Sequence, residues 1–160
     1  MTGKNRQDNY ISVLILTHNE EKNIERCIES VLPLTSHIFV VDSGSTDRTQ
    51  AVCESYGVTV TYHKWITYSE QFNYGLDYFD FPTDWIMRMD ADEELTSGLV
   101  QGIKLFLANP DEDISGVMIK RRVYFMGKWI KHGDYYPIWL LRLFRKGVGR
   151  CEALWIDEHI

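Results

Sequence analysis

Three short apolar runs constrain the fold of this chain more than any other feature. Each stops at a cluster of small polar and acidic residues. Ile11-Ser-Val-Leu-Ile-Leu16 stops at Thr17-His-Asn-Glu-Glu21, His37-Ile-Phe-Val-Val41 at Asp42-Ser-Gly-Ser-Thr-Asp47, and Trp85-Ile-Met-Arg-Met89 at Asp90-Ala-Asp-Glu-Glu94. Runs this short and apolar suit strands buried on both faces, which occur in parallel sheets covered by helices. Helical spacing fills the intervals. Ile24, Cys27, Ile28 and Val31 recur at that spacing up to Pro33, a second helix is expected from about Arg48 to Tyr56, and Ser69–Phe79 places Phe72, Leu76 and Phe79 on one side. A further strand is expected at Val58–Tyr62, and a helix through Leu99, Ile103 and Phe106 ends at Asn109-Pro110. This alternation predicts an α/β fold with a mainly parallel central sheet flanked by helices.

After Pro110 the pattern changes. Gly116–Phe125 reads as one longer strand, Met126–Pro137 as a loop, Ile138–Phe144 as another strand and Leu154-Trp-Ile156 as a last short one. Residues 1–10 are polar and aperiodic and read as a leader, and residues 11–160 as a single domain whose two halves share one sheet. A chain of 160 residues is of ordinary single-domain size. Its three cysteines, Cys27, Cys53 and Cys151, have no metal-ligand spacing and read as reduced structural thiols. No stretch has signal-peptide order or spans the roughly 20 apolar residues that a bilayer requires, so the expectation is a cytoplasmic protein.

Charge is unevenly placed. The net charge of −6 hides 8 basic and 19 acidic residues over 1–119, against 9 basic and 1 acidic over 120–150. The basic segment offers one favourable face to an anionic ligand or membrane surface. Aromatic residues interleave with it, yet no nucleic-acid-binding pattern is present, so nucleic acid is not an expected partner.

In open α/β sheets, ligands bind beyond the carboxyl ends of the strands. That rule gathers Glu20, Asp42, Asp47, Asp90, Asp92, Glu93 and Glu94 at one edge, a rim that repels itself unless a cation joins it. Asp90-Ala-Asp92 offers hard oxygen ligands of the kind that suit Mg2+ or Mn2+ together with phosphate oxygens; as a lone motif it more readily describes a solvated turn with acids capping the next helix. Asp42-Ser-Gly-Ser-Thr-Asp47 is either a tight turn with helix caps or a turn that leaves room for a base held by Asp42. A Rossmann dinucleotide site is excluded, because no Gly-rich loop follows the first strand.

Taken together, Thr17-His-Asn-Glu-Glu21, Val40-Val-Asp-Ser-Gly-Ser-Thr-Asp47, Met89-Asp-Ala-Asp-Glu-Glu-Leu95 and Gly133-Asp-Tyr-Tyr-Pro-Ile-Trp-Leu-Leu-Arg-Leu-Phe-Arg-Lys146 resemble the family 2 glycosyltransferases of GT-A fold. The segment Lys120–Gly133 is similar to bacterial lipopolysaccharide-core and capsule glycosyltransferases of the WaaE/KdtX type. The resemblance implies a nucleotide-binding half over 11–110 and an acceptor-side half over 111–160, which such proteins usually continue with further helices.

By that resemblance, Thr17, Asn19 and Glu20 match the nucleoside-contacting first loop, Asp42 the acid that recognises uracil, and Asp90 and Asp92 the DxD pair serving ribose, diphosphate and metal. Asp92 is the implied direct metal contact. Asn73 lies in the segment Gln71-Phe-Asn73, where Phe72 replaces the usual basic residue, and Ser43 stands where a second acid is common. Glu158, with Asp157 as second choice, matches the base that takes the acceptor proton. Arg142 matches the family's R-L-F motif, on the diphosphate or carboxylate side. Trp129, Tyr135, Tyr136 and Trp139 are candidates to line an acceptor site by stacking on sugar faces, although for Trp139 the preferred expectation is core packing or a place just behind that site. The implied activity is inverting, metal-dependent transfer from a UDP-linked sugar to a saccharide or lipid-linked saccharide in cell-envelope polysaccharide synthesis, with peripheral contact at the inner membrane face. The alternative is a GT-like module that binds nucleotide or glycan without transfer.

Overall fold

The computed structural model describes residues 10–132 and 136–152. Among them the chain forms β1 (Ile11–Thr17), α1 (Ile24–Val31), β2 (Ile38–Asp42), α2 (Thr49–Ser55), β3 (Thr59–Tyr62), α3 (Tyr68–Tyr78), β4 (Trp85–Asp90), α4 (Ser97–Ala108), β5 (Gly116–Arg121), β6 (Tyr124–Phe125), β7 (Lys128–Trp129) and β8 (Ile138–Arg145). Six strands form one sheet in the order β3-β2-β1-β4-β8-β5. β1 pairs in parallel with β2 and β4, and β2 with β3, while β8 is antiparallel to both β4 and β5. The latter half therefore joins the sheet of the first. It also follows that β5 runs in the direction of β4, so β1, β2, β4 and β5 all end at one edge. The chain winds outward from β1 to β3 and then crosses to β4 on the other side, which makes the ends of β1 and β4 the switch point of the sheet.

Every residue of β1 is buried. Ile11, Val13 and Ile15 pack with Ile24, Cys27 and Ile28 of α1 and with Val100 and Ile103 of α4, whereas Leu14 and Leu16 pack with Phe72 of α3 and with Phe144. Alternating residues thus enter two cores, one on each face, and each aliphatic side chain contributes about 1.5–3 kcal/mol of transfer free energy.

The helices keep the expected positions, with shifted contact lines. In α4 the buried line is Val100, Ile103 and Leu107, with Leu99 and Phe106 on its flank. Thr96 caps α4 by accepting from the Leu99 N–H, and Thr67 caps α3 by accepting from the Glu70 N–H. In α3, Phe72 is fully buried, but Phe79 lies beyond the last turn, where it joins an aromatic group with Phe39 and Phe81. The close approach of α3 to the sheet rests on Gly75. A Cβ there would stand 2.8 Å from Val41 Cγ2 and 3.0 Å from Leu14 Cδ1.

The long strand expected over Gly116–Phe125 ends instead at Arg121, and the loop expected after it contains β7. Between them the chain folds into the β6–β7 hairpin, turning at Met126 and Gly127, whose φ angles are 49° and 74°. Two successive positive φ angles make a type I′ turn, which ordinarily carries Asn-Gly; Met-Gly conceals it. The strand expected at Leu154–Ile156 lies outside the described residues.

Gly75→Ala tests the α3 contact. Helix propensity favours alanine by about 1 kcal/mol, but overpacking a stiff β-branched neighbour costs about 1–3 kcal/mol. A melting temperature lowered by roughly 3–6 °C in calorimetry is expected, and an unchanged or raised value would show that the interface absorbs a methyl group.

Candidate functional site: an acidic strand edge locked by its loops

The loops after β1 and β2 are held to each other. Ser43 N donates to Thr17 O, Asn19 N to Ser45 Oγ, Thr46 N to Asn19 Oδ1, Glu20 N to Thr49 Oγ1, and Glu21 N to Asp47 Oδ2. Asn19 sits at φ 54°, a left-handed conformation that Asn tolerates better than most residues. Thr49 also donates its hydroxyl and its N–H to Asp47 Oδ1. The Asp47 carboxyl titrates below its ordinary range: desolvation works upward, and the bonds from Thr49 and from the Glu21 N–H outweigh it. Glu20 accepts from Asn23 Nδ2 at 2.6 Å.

Asp42 anchors the second loop from within. It is 0% exposed. Its Oδ2 accepts from the N–H groups of Gly44 and Ser45 and from Gln50 Nε2, and its Oδ1 accepts from Ser45 Oγ. The carboxylate faces its own turn and fixes Ser43–Ser45 in place. Next to it is a group that the sequence patterns did not single out. Gln71, also buried, donates through Nε2 to Ser43 Oγ and to His63 O, and its Oε1 lies 3.0 Å from His63 Nδ1. The His63 ring stacks on Tyr74 at 4.0 Å. Only the Q-x-N spacing pointed toward Gln71, through Asn73.

At the switch point, Leu16 pairs with Asp90. Arg142 Nη2 donates to Glu93 Oε1 at 2.6 Å and to Asp90 Oδ2 at 3.1 Å, from a side chain that is almost fully buried. Its position depends on a β-bulge. Val117 pairs with Leu143 and Met118 with Leu141, so Arg142 is the extra residue on β8. Bulges redirect a side chain out of the pleat and are common beside active sites. β4 pairs with β8 only as far as Leu143, which leaves room for the guanidinium at the strand ends. Burial raises the Glu93 carboxyl above its ordinary range; Arg142 opposes this, while Asp90 and Asp92 reinforce it.

Three buried polar atoms here lack a hydrogen-bond partner: Thr17 Oγ1, Asp90 Oδ1 and Arg88 Nε. Arg88 Nη2 stands 3.8 Å from Asp90 Oδ1, beyond hydrogen-bond distance. Buried polar groups are usually satisfied; these stand at the adjoining ends of β1 and β4, with Thr17 on the α1 face by its alternation with Ile15, and Asp90, paired with Leu16, on the α3 face beside Arg88. Asp92 is exposed just beyond. Among the described residues, no three His, Cys, Asp or Glu side chains form a closed metal cage. The donor set fits a divalent cation held by one or two carboxylates and completed by phosphate oxygens and water.

Other expected site residues lie elsewhere. Asn73 Nδ2 donates to Cys151 O and Asn73 Oδ1 accepts from Cys151 N, so its amide joins α3 to the segment after β8 instead of facing the strand ends. One turn on, Asp77 receives a two-pronged contact from Arg150. Trp139 is not a core residue: it is 51% exposed, with Lys120 Nζ 4.6 Å from its ring centroid. The physical reason is that β8 near Trp139 has lost β4 as a neighbour. Trp129 and Tyr136 pack edge to face at 5.0 Å. Tyr135, Asp157 and Glu158 lie outside the described residues.

The model of the glycosyl transferase family 2 matches residues 12–156, which includes both loops, the acidic edge and β8. The chain belongs to that family. It is 36% identical over 147 residues to the lipopolysaccharide core biosynthesis glycosyltransferase LpsC of Rhizobium meliloti, covering 89% of this chain and 53% of LpsC. The chain thus spans about half the length of that curated relative. Among solved structures, a mannosyltransferase of Pyrobaculum calidifontis in complex with GDP-Man and Mn2+ is similar at TM-score 0.57 and 20% identity, covering 69% of this chain and 35% of that one. Glucosyl-3-phosphoglycerate synthase of Mycobacterium tuberculosis in complex with UDP is similar at TM-score 0.54 and 24% identity, covering 68% and 43%. The fold of this family 2 chain is GT-A.

Arg142→Ala removes the cation shared by Asp90 and Glu93. The expected loss in urea unfolding is about 3 kcal/mol, the low end of the cost of stranding a buried charge, because both carboxylates keep part of their surface in water. A loss well below this would show that water replaces the guanidinium.

Proposed function

We propose that this family 2 chain carries out inverting, metal-dependent transfer of a sugar from a UDP-sugar to a saccharide or lipid-linked saccharide acceptor. The process served is cell-envelope polysaccharide synthesis, at the cytoplasmic face of the membrane. The observation that carries this reading is the Asp90–Glu93 pair held by Arg142 at the switch point, with Asp90 Oδ1 unpartnered and Asp92 exposed beside it. The name of LpsC supports the envelope process, and the nucleotide complexes of the two structural neighbours support a nucleotide-linked donor.

In this reading Thr17, Asn19 and Glu20 line the nucleoside, while Asp42 keeps the second loop in the shape that receives the base. Asp90 orients the ribose and diphosphate, held in place by Arg142. Asp92 is the residue that would bind Mg2+ or Mn2+, which when bound supplies charge neutralisation for a departing diphosphate. The acceptor hydroxyl oxygen attacks the anomeric carbon as the bond to the diphosphate breaks, and Glu158, with Asp157 as second choice, takes the hydroxyl proton. Trp139, exposed on β8, belongs to the acceptor side. No helix among the described residues is long and apolar enough to cross a membrane.

Calorimetric titration with UDP tests the donor site. Mn2+ is expected to tighten binding at least ~10-fold in the wild type and to leave Asp92→Ala unaffected; equal affinity with and without Mn2+ in the wild type would remove the metal assignment. For the base, transfer assays over a panel of nucleotide sugars are expected to show kcat lowered by about 10²–10⁴ in Glu158→Gln. Normal turnover in both Glu158→Gln and Asp157→Asn would overturn that role.

A further inference from the structure

The β6–β7 hairpin takes no part in the site described above. β5 runs with β1 and β4, so at Arg121 the chain arrives at the same edge as Thr17 and Asp90, and the hairpin starts from there. It is held by the pairs Tyr124 with Trp129 and Phe125 with Lys128, and by Ile130 N donating to Val123 O. Its tip is apolar where a turn in water is ordinarily polar: Tyr124, Phe125 and Met126 are 59%, 67% and 86% exposed. Met126 also occupies a left-handed position that favours Asn or Gly. The fold gains nothing from an apolar side chain held in an unfavourable conformation and turned to solvent, and an exposed apolar group of this kind marks an interaction site.

Along the hairpin segment itself the charge has one sign. Lys120, Arg121, Arg122, Lys128 and Lys131 flank the tip, and no acidic residue occurs from Ile114 to Gly133. Two tryptophans organise several of these cations: Arg122 and Lys131 lie 4.8 and 4.7 Å from the Trp129 ring centroid, and Lys120 lies against Trp139. An apolar tip set in a basic collar combines the two signals that stable attachment to an anionic bilayer requires, shallow insertion and attraction to lipid phosphates. Three side chains on a narrow ribbon are far too few for the roughly 800 Å² per partner of a stable protein interface.

We propose that this hairpin docks the protein on an anionic lipid surface: Phe125 and Met126 enter the headgroup region while the basic collar contacts lipid phosphates. The nucleotide site then opens at the membrane plane, where a lipid-linked acceptor is presented. The proposal stands on the hairpin alone and needs no donor, so it is testable apart from the transfer chemistry.

The experiment is co-sedimentation of the 160-residue chain with phosphatidylcholine vesicles, with and without phosphatidylglycerol, at low and high salt. Binding is expected only when phosphatidylglycerol is present, and salt should weaken it. Phe125→Ser with Met126→Asn should reduce the partition roughly 10-fold or more, and Arg122→Glu with Lys128→Glu at least as much. Asn suits the left-handed turn, so Met126→Asn alone keeps or raises the melting temperature, and its reduced partition then reports the lost insertion. The proposal is overturned if the wild type ignores anionic vesicles, if it binds neutral ones equally, or if the Phe125/Met126 variant partitions like the wild type. It is also overturned if that variant impairs binding of a soluble oligosaccharide acceptor while vesicles never bind, which would assign the hairpin to the glycan.

Discussion

The contact of one guanidinium with two carboxylates is the interaction on which the rest of the site depends. Asp90, Asp92 and Glu93 crowd the end of a strand that is buried on both faces, and like charges a few ångströms apart cost several kcal/mol in a partly buried setting. Arg142 meets two of them and leaves Asp92 and one oxygen of Asp90 uncommitted. The arrangement offsets most of the repulsion between Asp90 and Glu93. A lysine in the pleat of an unbroken strand would supply the charge without the geometry. The planar fork, on the extra residue of a bulge, reaches both acids from one nitrogen.

The two loops beside this centre follow a different principle. They have no ladder to hold them, and their order comes from hydroxyl and carboxylate groups taking the N–H donors of the facing loop. Ser45, Thr49 and Asp47 each bond across or along this boundary, and Asp42 closes the set from beneath. Small polar residues are dense at these strand ends because each can satisfy a backbone group at short range. The result is a rigid surface made from residues with little core value.

The strands β1, β2 and β4 were legible because a strand buried on both faces needs an uninterrupted apolar run and stops where polar residues begin. The acidic pair after β4 was legible for the same reason, since the fold rule places strand ends together. Arg142 stood out in a motif, but its partners were hidden: a bulge adds one residue to a pattern of period two, and nothing local marks it. Gln71 was hidden as an unremarkable helix position, although it joins Ser43 to His63. Trp139 was misread because an aromatic residue in the run Ile138–Phe144 looks like core, whereas burial there depends on whether β4 extends far enough to cover it. The hairpin escaped notice because Met126 occupies the place where Asn would have announced the turn.

The position of β8 between β4 and β5 also bears on how the molecule is made. A ribosome releases the first 110 residues with β4 as an open edge, and the strand that covers it emerges only after β5 and the hairpin. Pairing across such a separation forms slowly, because a long loop must close before any contact rewards it. Until residues 138–145 insert, the acids after β4 have no Arg142 beside them. A nascent chain therefore holds its loops and its carboxylates but not their final alignment, and among the described strands of the sheet the last to be synthesised is the one that brings Arg142 to those carboxylates.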